Sequence, residues 1–367
     1  MFEVTHQDGA ARTGILNLPR GQVHTPVFMP VGTVGSVKTL IPEDLHGLNT
    51  EIILGNTYHL YLRPGMEVIE AFNGLHRFIG WDKPILTDSG GYQVFSLGKL
   101  MKLSEDGVTF QNHINGAKIH LTPELAVEIQ ETLDADIHMV LDECTPWPAT
   151  RKEAEQSMER SLRWAGRCRA HRRKDHLLQF GIVQGSMFED LRRRSIEGLL
   201  TSNFEGYAIG GLSVGEPVEQ MRSVTEFCAG LLPGEQPRYL MGVGTPLDLI
   251  ESVALGIDMF DCVMPTRNGR NGTLFTSAGR VNIKNARFRL DQDPLDPQCP
   301  CTACRNFSRA YLRHLFIAGE LSAYRLFSLH NLTYYLNLMQ KIRTAIRENR
   351  FRDLLKEQRE IWSRTDD

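Results

Sequence analysis

The chain has 367 residues, of which 41% are hydrophobic and 23% charged, a composition typical of a folded globular protein rather than a disordered or fibrous one. Its formal net charge is −3, so any contact with nucleic acid depends on a local cationic patch. The first residues lack the basic start and apolar run of a signal peptide, and no apolar stretch reaches membrane-spanning length. We therefore expect a cytoplasmic protein with no membrane partner.

Eight short apolar runs, each ending in a polar or glycine-rich turn, follow one another along the chain. Amphipathic helical patterns separate most of them, as in residues 123–133, where Thr122 is the predicted N-cap and Pro123 occupies the first helical position. Eight strand–helix units predict an α/β fold, the (β/α)8 TIM barrel; a doubly wound open sheet is the alternative, because periodicity does not establish closure. The runs are residues 27–33, 51–56, 84–88, 137–142, 178–184, 206–211, 238–244 and 256–264.

Two hairpins are predicted outside this series. Residues 12–18 and 21–26 form an antiparallel pair that covers one end of the core. Asn115 and Gly116 predict the turn of a second hairpin, residues 107–121, which follows the third strand. The second hairpin is therefore expected on the rim of the barrel mouth.

Polar groups stand at the carboxyl ends of the runs. In a barrel these ends converge on one mouth, which is where catalytic groups are found. Together they predict a deep polar pocket for a flat heterocycle, with Tyr92 and Met241 as apolar faces for stacking. The strand-end residues are Asn56, Asp88, Ser89, Asp142, Glu143, Gln184, Gly210, Gly211, Gly242 and Asp261.

The last run contains two aspartates, Asp258 and Asp261, in an otherwise apolar strand. A strand that is apolar on both faces belongs to a covered parallel sheet, where an unpaired carboxylate is costly to ionise. After Pro265 the composition changes to a flexible cationic loop with Arg267 and Arg270, which suits an anionic substrate. The alternative is a structural aspartate followed by a surface turn with two solvated arginines.

Glycosidic-bond chemistry needs two carboxylates with different tasks. One attacks or stabilises the cation-like sugar carbon, and the other manages the proton of the leaving group. Asp88 and Asp261 lie on strands well separated in order, so they can flank a bound nucleoside from opposite sides.

A metal site is predicted near the carboxyl end of the chain. Cys299, Cys301 and Cys304 lie within six positions and can bind one tetrahedral ion, which needs a fourth ligand. His330 is the predicted fourth ligand, because the other histidine of this segment, His314, lies in an apolar helical pattern. Three sulfurs and one nitrogen leave no open position, so we predict one structural Zn²⁺ per chain; chance clustering or redox chemistry is the alternative.

Four motifs together resemble those of the bacterial tRNA-guanine transglycosylases, also called queuine tRNA-ribosyltransferases, and the resemblance covers nearly the whole chain. It implies a catalytic barrel with a zinc-binding subdomain inserted before its last helix, divided as residues 1–285 and 341–367 for the barrel and 286–340 for the subdomain. The motifs are D-S-G-G-Y-Q at 88–93, G-G-L-S-V-G-E at 210–216, D-C-V-M-P-T-R at 261–267, and C-x-C-x-x-C at 299–304 with the later His330.

The resemblance also implies a reaction. The family exchanges guanine at the wobble position of tRNAs with GUN anticodons (Asp, Asn, His and Tyr) for a deazaguanine, in queuosine biosynthesis. Asp261 would be the nucleophile that binds the ribose covalently, and Asp88 the general acid and base. Asp258 would be a bystander, a distinction that the residues alone leave open.

Further contacts follow from the same resemblance. Arg267 and Arg270 would bind the tRNA anticodon stem-loop, whose target base must leave its stack, and Thr245 stands where family members have a lysine that contacts phosphate. Cys144 and Val214 are the bacterial form of a pocket for 7-aminomethyl-7-deazaguanine. The base would be held by Asp142, Gln184 and the Gly211 and Leu212 backbone, between Tyr92 and Met241.

A homodimer through the zinc subdomain is implied as well, with Phe307, Tyr311 and His314 as candidate interface residues. Residues of a buried core would show the same pattern.

Three other functions remain as alternatives: a nucleoside or glycoside hydrolase, a non-catalytic tRNA-binding partner subunit, and a zinc-containing structural protein. The flat-base pocket favours exchange over hydrolysis. The presence of both Asp88 and Asp261 argues against the other two.

Overall fold

A computed structural model describes residues 2–97 and 101–363; Met1, residues 98–100 and the last four residues, which fall within the predicted domain ranges, lie outside the described residues. The elements in chain order are β1 (Phe2–Asp8), β2 (Ala11–Leu18), β3 (Gly21–Thr25), β4 (Val27–Met29), β5 (Val31–Gly32), α1 (Pro42–Gly47), β6 (Ile53–Gly55), α2 (Thr57–Leu62), α3 (Met66–Ala71), α4 (Leu75–Ile79), β7 (Ile85–Thr87), α5 (Gly91–Leu97), β8 (Met101–Leu103), β9 (Val108–Gln111), β10 (Lys118–Leu121), α6 (Pro123–Leu133), β11 (Ile137–Met139), α7 (Arg151–His171), β12 (Leu178–Val183), α8 (Glu189–Leu200), β13 (Gly206–Ile209), α9 (Val218–Leu231), β14 (Arg238–Leu240), α10 (Pro246–Ala254), β15 (Met259–Asp261), α11 (Met264–Arg270), β16 (Thr273–Thr276), β17 (Gly279–Asn282), a 3-10 turn (Ala286–Leu290), α12 (Thr302–Asn306), α13 (Arg309–Ala318), α14 (Leu321–Arg347) and α15 (Phe351–Ser363).

Nine strand segments form one parallel sheet in the order β4-β15-β14-β13-β12-β11-β7-β6-β5. The two end segments, β4 and β5, are consecutive in the chain and separated only by Pro30. Proline has no N–H for the ladder, yet the Pro30 carbonyl accepts a hydrogen bond from the Leu54 N–H at 3.0 Å. The first predicted run therefore supplies both ends of the sheet and closes it, which confirms the (β/α)8 barrel and excludes the open sheet.

The strands are shorter than the apolar runs that predicted them. Every residue of β4, β6, β7 and β11 is buried, as expected for parallel strands covered by helices on their outer side. The polar residues that end the other runs lie just beyond the strand, at the carboxyl edge of the barrel, and Asp261 is itself the last residue of β15. The rigid sheet therefore positions the candidate site residues at or directly after strand ends.

Both predicted hairpins are present, and each gains a third strand. The amino-terminal pair, β2 and β3, is joined by β1. The rim hairpin, β9 and β10, pairs in the register Gln111 with Lys118 and is joined by β8.

A second buried cluster lies apart from the barrel core. The long helix α14 connects the two, because its Ala323 and Phe327 belong to this second cluster and its residues from Leu332 onward belong to the barrel core. The cluster consists of Leu274, Ile283, Phe288, Leu295, Cys301, Ala303, Cys304, Leu312, Leu315, Ala323 and Phe327.

The segment after Pro265 corrects one prediction. It is not a flexible loop but the helix α11, with Pro265 in its first turn. The helix packs closely on α14: the Asn331 amide donates to the Pro265 carbonyl at 2.9 Å, and a Cβ on Gly269 would meet the Phe327 backbone at 3.0 Å. Contact with a distant helix stabilises this segment, and its local composition did not indicate that contact.

Although α14 has 27 residues, neither it nor any other helix within the described ranges is apolar enough over a sufficient length to cross a bilayer.

Candidate active site and metal cluster

Asp88 follows β7 at the barrel mouth and is buried. Burial raises the pKa of its carboxyl group to about 6, although hydrogen bonds from Asn56, Thr57 and Gln93 lower the pKa by favouring the charged form. This carboxyl can therefore hold a proton near neutral pH, as a general acid requires. The four donors to this carboxyl group are the Thr57 N–H (2.9 Å) and Gly90 N–H (3.2 Å) to Oδ1, and the Asn56 amide (2.5 Å) and Gln93 amide (2.8 Å) to Oδ2.

Asp261 is the last residue of β15 and has two different carboxylate oxygens. Oδ1 accepts hydrogen bonds from the Tyr239 hydroxyl at 2.6 Å and from the Gly242 N–H at 2.8 Å. No group in the described part of the chain donates to Oδ2. One oxygen is thus held in place while the other is available for attack on a substrate, the arrangement that a carboxylate nucleophile needs.

The charge of Asp261 affects two neighbouring groups, Asp88 and Tyr239. The charge of Asp261 further raises the pKa of Asp88, and burial followed by the charges of Asp261 and Asp88 raises the pKa of Tyr239 well above its usual value. The Tyr239 hydroxyl therefore stays protonated and remains a donor to Asp261.

Asp142 and Gln184 lie together after the carboxyl ends of β11 and β12. The Gln184 amide donates to Asp142 Oδ2 at 2.7 Å, and the Ser89 hydroxyl donates to Oδ1 at 3.1 Å. Burial raises the pKa of Asp142 to about 6. Within the described ranges, Gln184 Oε1 is buried without a partner. The pair therefore presents both donors and acceptors, which suits the edge of a heterocycle.

Two glycines after β13 allow this contact. A Cβ on Gly210 would stand 2.8 Å from Gln184 Nε2, and a Cβ on Gly211 would stand 2.5 Å from Gln184 Oε1. Gly211 also has φ +66°, a backbone conformation that favours glycine. The G-G dipeptide is therefore required for Gln184 to lie against the backbone here, with Leu212 buried directly after it.

The remaining predicted pocket residues all follow carboxyl strand ends on the same side of the barrel. Tyr92 on α5 is exposed, whereas Met241, Cys144 and Val214 are half-buried. Burial raises the pKa of the Cys144 thiol to about 12, so this side chain is neutral.

The two predicted RNA-contacting arginines lie on α11, directly after Asp261. Arg267 is exposed, and Arg270 donates from Nη1 to the Thr266 carbonyl at 3.0 Å. Burial, and then the charge of Arg267, lowers the pKa of Arg270. Two neighbouring cations thus stand beside the site with no carboxylate within 4.0 Å in the described part of the chain.

Thr245 has a local structural role. Its hydroxyl accepts a hydrogen bond from the Asp248 N–H at 3.1 Å and caps the amino end of α10. A lysine at this position would bring a charge but no such cap.

Asp258 lies at the opposite, amino end of β15. Its carboxylate accepts from Arg12 at 3.0 and 2.6 Å and from the Arg238 N–H at 2.7 Å. This buried ion pair lies at the end of the barrel opposite the mouth. The two aspartates of the run therefore have different surroundings: Asp261 lies at the mouth, and Asp258 pairs with Arg12.

The four predicted metal ligands are brought together. One ligand atom each from Cys299, Cys301, Cys304 and His330 lies within 4.8 Å of the others, which can hold one metal ion. His330 Nδ1 is 3.5 Å from Cys301 Sγ and 3.3 Å from Cys304 Sγ, while its Nε2 is 2.8 Å from the Phe275 carbonyl. That contact orients the ring so that Nδ1 faces the sulfurs.

Sequence reasoning missed the residues that support the carboxylates. In the sequence, Tyr239 has the pattern of an ordinary buried strand residue, and Thr57 and Gln93 have that of ordinary helix residues. One signal was available for Tyr239, since the hydroxyl of a buried tyrosine usually needs a partner. The identity of that partner is decided by strand pairing.

Known proteins of one family are similar to this chain over nearly its whole length. A family model described as queuine tRNA-ribosyltransferase matches residues 7–364. The chain is similar to three proteins of that name: 58% identical over 352 residues in Solidesulfovibrio magneticus (95% of this chain, 94% of that protein), 56% over 353 in Acinetobacter baylyi (95% and 92%), and 55% over 359 in Acinetobacter baumannii (97% and 95%). The predicted resemblance is confirmed, and the chain belongs to the queuine tRNA-ribosyltransferase family of transferases.

Proposed function

We propose that the protein replaces guanine at the wobble position of tRNAs with GUN anticodons (Asp, Asn, His and Tyr) by 7-aminomethyl-7-deazaguanine, in queuosine biosynthesis. The observation that carries the proposal is the carboxylate pair: Asp261 has one oxygen held and one available, and Asp88 can hold a proton near neutral pH. We expect the enzyme in the cytoplasm, where its tRNA substrates are found.

In the first half-reaction, Oδ2 of Asp261 attacks the ribose C1′. The C1′–N9 bond breaks, its electron pair goes to the departing guanine, and guanine takes the proton of Asp88. Tyr239 and Gly242 hold the second oxygen of Asp261 in place. The products are free guanine, ionised Asp88 and an ester between Asp261 and the RNA.

The second half-reaction reverses these roles. The incoming base gives its N9 proton to Asp88, N9 attacks C1′, and the electron pair of the ester bond returns to Asp261. Both carboxyl groups regain their starting states, so exchange consumes no cofactor. Attack by water instead of a base would give hydrolysis, which a closed pocket must prevent.

The base would lie between Tyr92 and Met241. The ionised Asp142 can accept from the N–H groups that guanine and its 7-deaza analogues share, while Gln184 and the Gly211 and Leu212 backbone contact the rest of the edge. Cys144 and Val214 would leave room for the small aminomethyl group. Guanine and the incoming base thus compete for the same hydrogen bonds.

The anticodon stem-loop would be bound next to Arg267 and Arg270. Two observations support this contact: both arginines lie on the helix that follows Asp261, and neither has a carboxylate within 4.0 Å among the described residues. Free positive charges suit the phosphate backbone beside a flipped nucleotide.

Zn²⁺ is the metal we propose for the cluster. Three thiolates and one imidazole match its preferred tetrahedral set and leave no position open for a substrate. When bound, the ion would supply a structural cross-link between the segment of Cys299, Cys301 and Cys304 and the helix of His330. A zinc subdomain of residues 286–340, inserted in a barrel of residues 1–285 and 341–367, is the division we propose. Nine of the eleven residues of the second buried cluster lie in that range and support it, while Leu274 and Ile283 precede it.

A homodimer through this subdomain is also proposed. The rings of Phe307 and Tyr311 are 5.2 Å apart, those of Tyr311 and His314 are 6.4 Å apart, and Tyr311 is 44% exposed. A neighbouring copy would cover this aromatic surface. Sedimentation at micromolar concentration should give twice the chain mass of 41.5 kDa, and Tyr311→Asp should give the chain mass; a monomeric native protein would contradict the proposal.

Exchange itself is tested with labelled guanine. The purified protein is incubated with unmodified tRNA carrying guanine at the wobble position, and label is expected to enter the RNA. A tRNA with adenine at that position is the matched control and should gain none. Release of guanine with an abasic site and no incorporation would indicate a hydrolase, and neither event would indicate a binding subunit.

The rate of the first half-reaction should depend on pH through Asp88. The acid form is required, and its pKa is about 6. The single-turnover rate should therefore fall about tenfold per pH unit well above pH 6 and level off as pH decreases through 6. Rapid-quench measurement of adduct formation from pH 5 to 9 checks this, with Asp88→Asn expected to remove both the rate and its pH dependence. A rate that rises with pH would contradict the role of Asp88.

A further inference from the structure

Arg192, on α8, is a charged side chain that the reaction above does not use. It is fully buried, and no carboxylate lies within 4.0 Å of it in the described part of the chain. All its hydrogen bonds go to carbonyl groups: Nε donates to Ser186 at 2.8 Å, and Nη1 donates to Val183 and to Gly210, both at 2.8 Å.

These carbonyl groups lie directly behind the pocket. The Gly210 carbonyl belongs to the same peptide unit as the Gly211 N–H, and the Val183 carbonyl to the same unit as the Gln184 N–H. Arg192 Nη2 is buried, has no partner among the described residues, and lies 3.6 Å from the position of a Cβ on Gly211. The guanidinium therefore lies beneath the part of the pocket formed by Gly211 and Gln184.

Stability alone does not account for this arrangement. A buried cation without an anionic partner is costly, and apolar residues of similar volume are often at least as stabilising as buried charges. The Val183 carbonyl already accepts from the Gly210 N–H at 3.1 Å, so it does not depend on Arg192 for a partner. Burial lowers the pKa of Arg192, in keeping with the cost of the charge.

We propose that Arg192 is a positioning residue that polarises the Gly210–Gly211 peptide and stabilises negative charge on the departing guanine. A cation at a peptide carbonyl draws electron density from that peptide, which strengthens its N–H as a donor, and the effect is large where water is excluded. The electron pair released from the C1′–N9 bond spreads over the purine, whose edge faces Gly211 in the proposed complex. The inference rests on the proposed function.

The test separates charge from hydrogen bonding at position 192. Arg192→Gln keeps N–H donors without the charge, and Arg192→Lys keeps the charge without the planar fork. The matched control is Arg238→Gln: Arg238 also donates to carbonyl groups, of Leu232 at 2.7 Å and Gly256 at 3.4 Å, but at the amino end of the barrel. The full chain is used throughout, with the thermal midpoint measured for every variant.

In the exchange assay, Arg192→Gln should lower kcat by about 10- to 100-fold and leave KM for tRNA unchanged. Arg192→Lys should recover most of kcat, and Arg238→Gln should keep kcat although its thermal midpoint falls. RNA carrying 8-azaguanine, whose N9 is more acidic, should reduce the defect of Arg192→Gln, because less stabilisation of the leaving base is needed.

Unchanged kcat in Arg192→Gln, or equal defects with guanine and 8-azaguanine, would overturn the inference while leaving the proposed function intact. Equal losses in the Lys and Gln variants would also overturn it. Absence of exchange by the wild-type protein would instead refute the proposed function. If Arg192→Gln is insoluble, Arg192→Met, which removes the charge and keeps an unbranched side chain, is measured with the two leaving bases, since a purely structural defect is independent of the leaving base.

Discussion

Asp261→Ala should abolish base exchange and leave a folded protein. Loss of a carboxylate nucleophile typically lowers the rate by about 10⁴-fold or more, and no other described carboxylate occupies the end of β15. Burial raises the pKa of Asp261, so its ionised form is not a source of stability at neutral pH. The measurement is the covalent protein–RNA adduct on a denaturing gel, which should form with the wild-type protein and be absent from the variant.

Asp258→Ala is the matched control, three residues earlier on the same run. It removes the partner of the buried Arg12 and should lower the free energy of unfolding by about 3–5 kcal/mol. The two variants should therefore separate: Asp261→Ala loses the adduct but keeps its thermal midpoint, and Asp258→Ala loses thermal stability but still forms the adduct. An adduct of normal yield with Asp261→Ala would remove Asp261 from the nucleophile role.

Cys301→Ser should lose both the metal and the stability of the surrounding segment. Structural zinc sites contribute on the order of 10 kcal/mol of binding free energy to folding, comparable with the whole free energy of unfolding of a typical domain. Cys301 also belongs to the second buried cluster, so loss of the ion removes its central cross-link. We expect less than one metal ion per chain by elemental analysis, a lower thermal midpoint and poor solubility.

Cys228→Ser provides the comparison, because Cys228 is buried in α9, away from the metal ligands. It should keep one metal ion per chain and change stability by about 1 kcal/mol. A Cys301→Ser protein that is metal-free, stable and active would refute the structural role of the metal.

Several features of the protein were predictable because they depend only on residues close together in the sequence. Thr122 and Pro123 mark the start of α6, and the helix spans residues 123–133 as predicted. Cys299, Cys301 and Cys304 are so close in sequence that one ion can reach all three, and choosing His330 over His314 needed only the apolar pattern around the latter. The metal ligands therefore depended little on tertiary structure.

Other features depended on contacts between distant segments. Asp258 and Asp261 have the same local context, and only pairing with Arg12, 246 residues from Asp258, distinguishes them. The local composition of the α11 segment predicts a loop, and its helical structure depends on packing against α14. Arg192 reads as one of three consecutive arginines, and only the fold buries it behind the pocket.

By itself, the sequence determined the eight strands, the carboxyl-end position of the candidate site and the candidate metal cluster, because apolar periodicity and short ligand spacing are properties of the chain. Tertiary structure alone decided that the sheet closes around Pro30, which oxygen of Asp261 is held, and that Asp88 carries a pKa of about 6. These properties arise from burial and from partners on other strands. The sequence contains those partners, but only the fold brings them into contact with the aspartates.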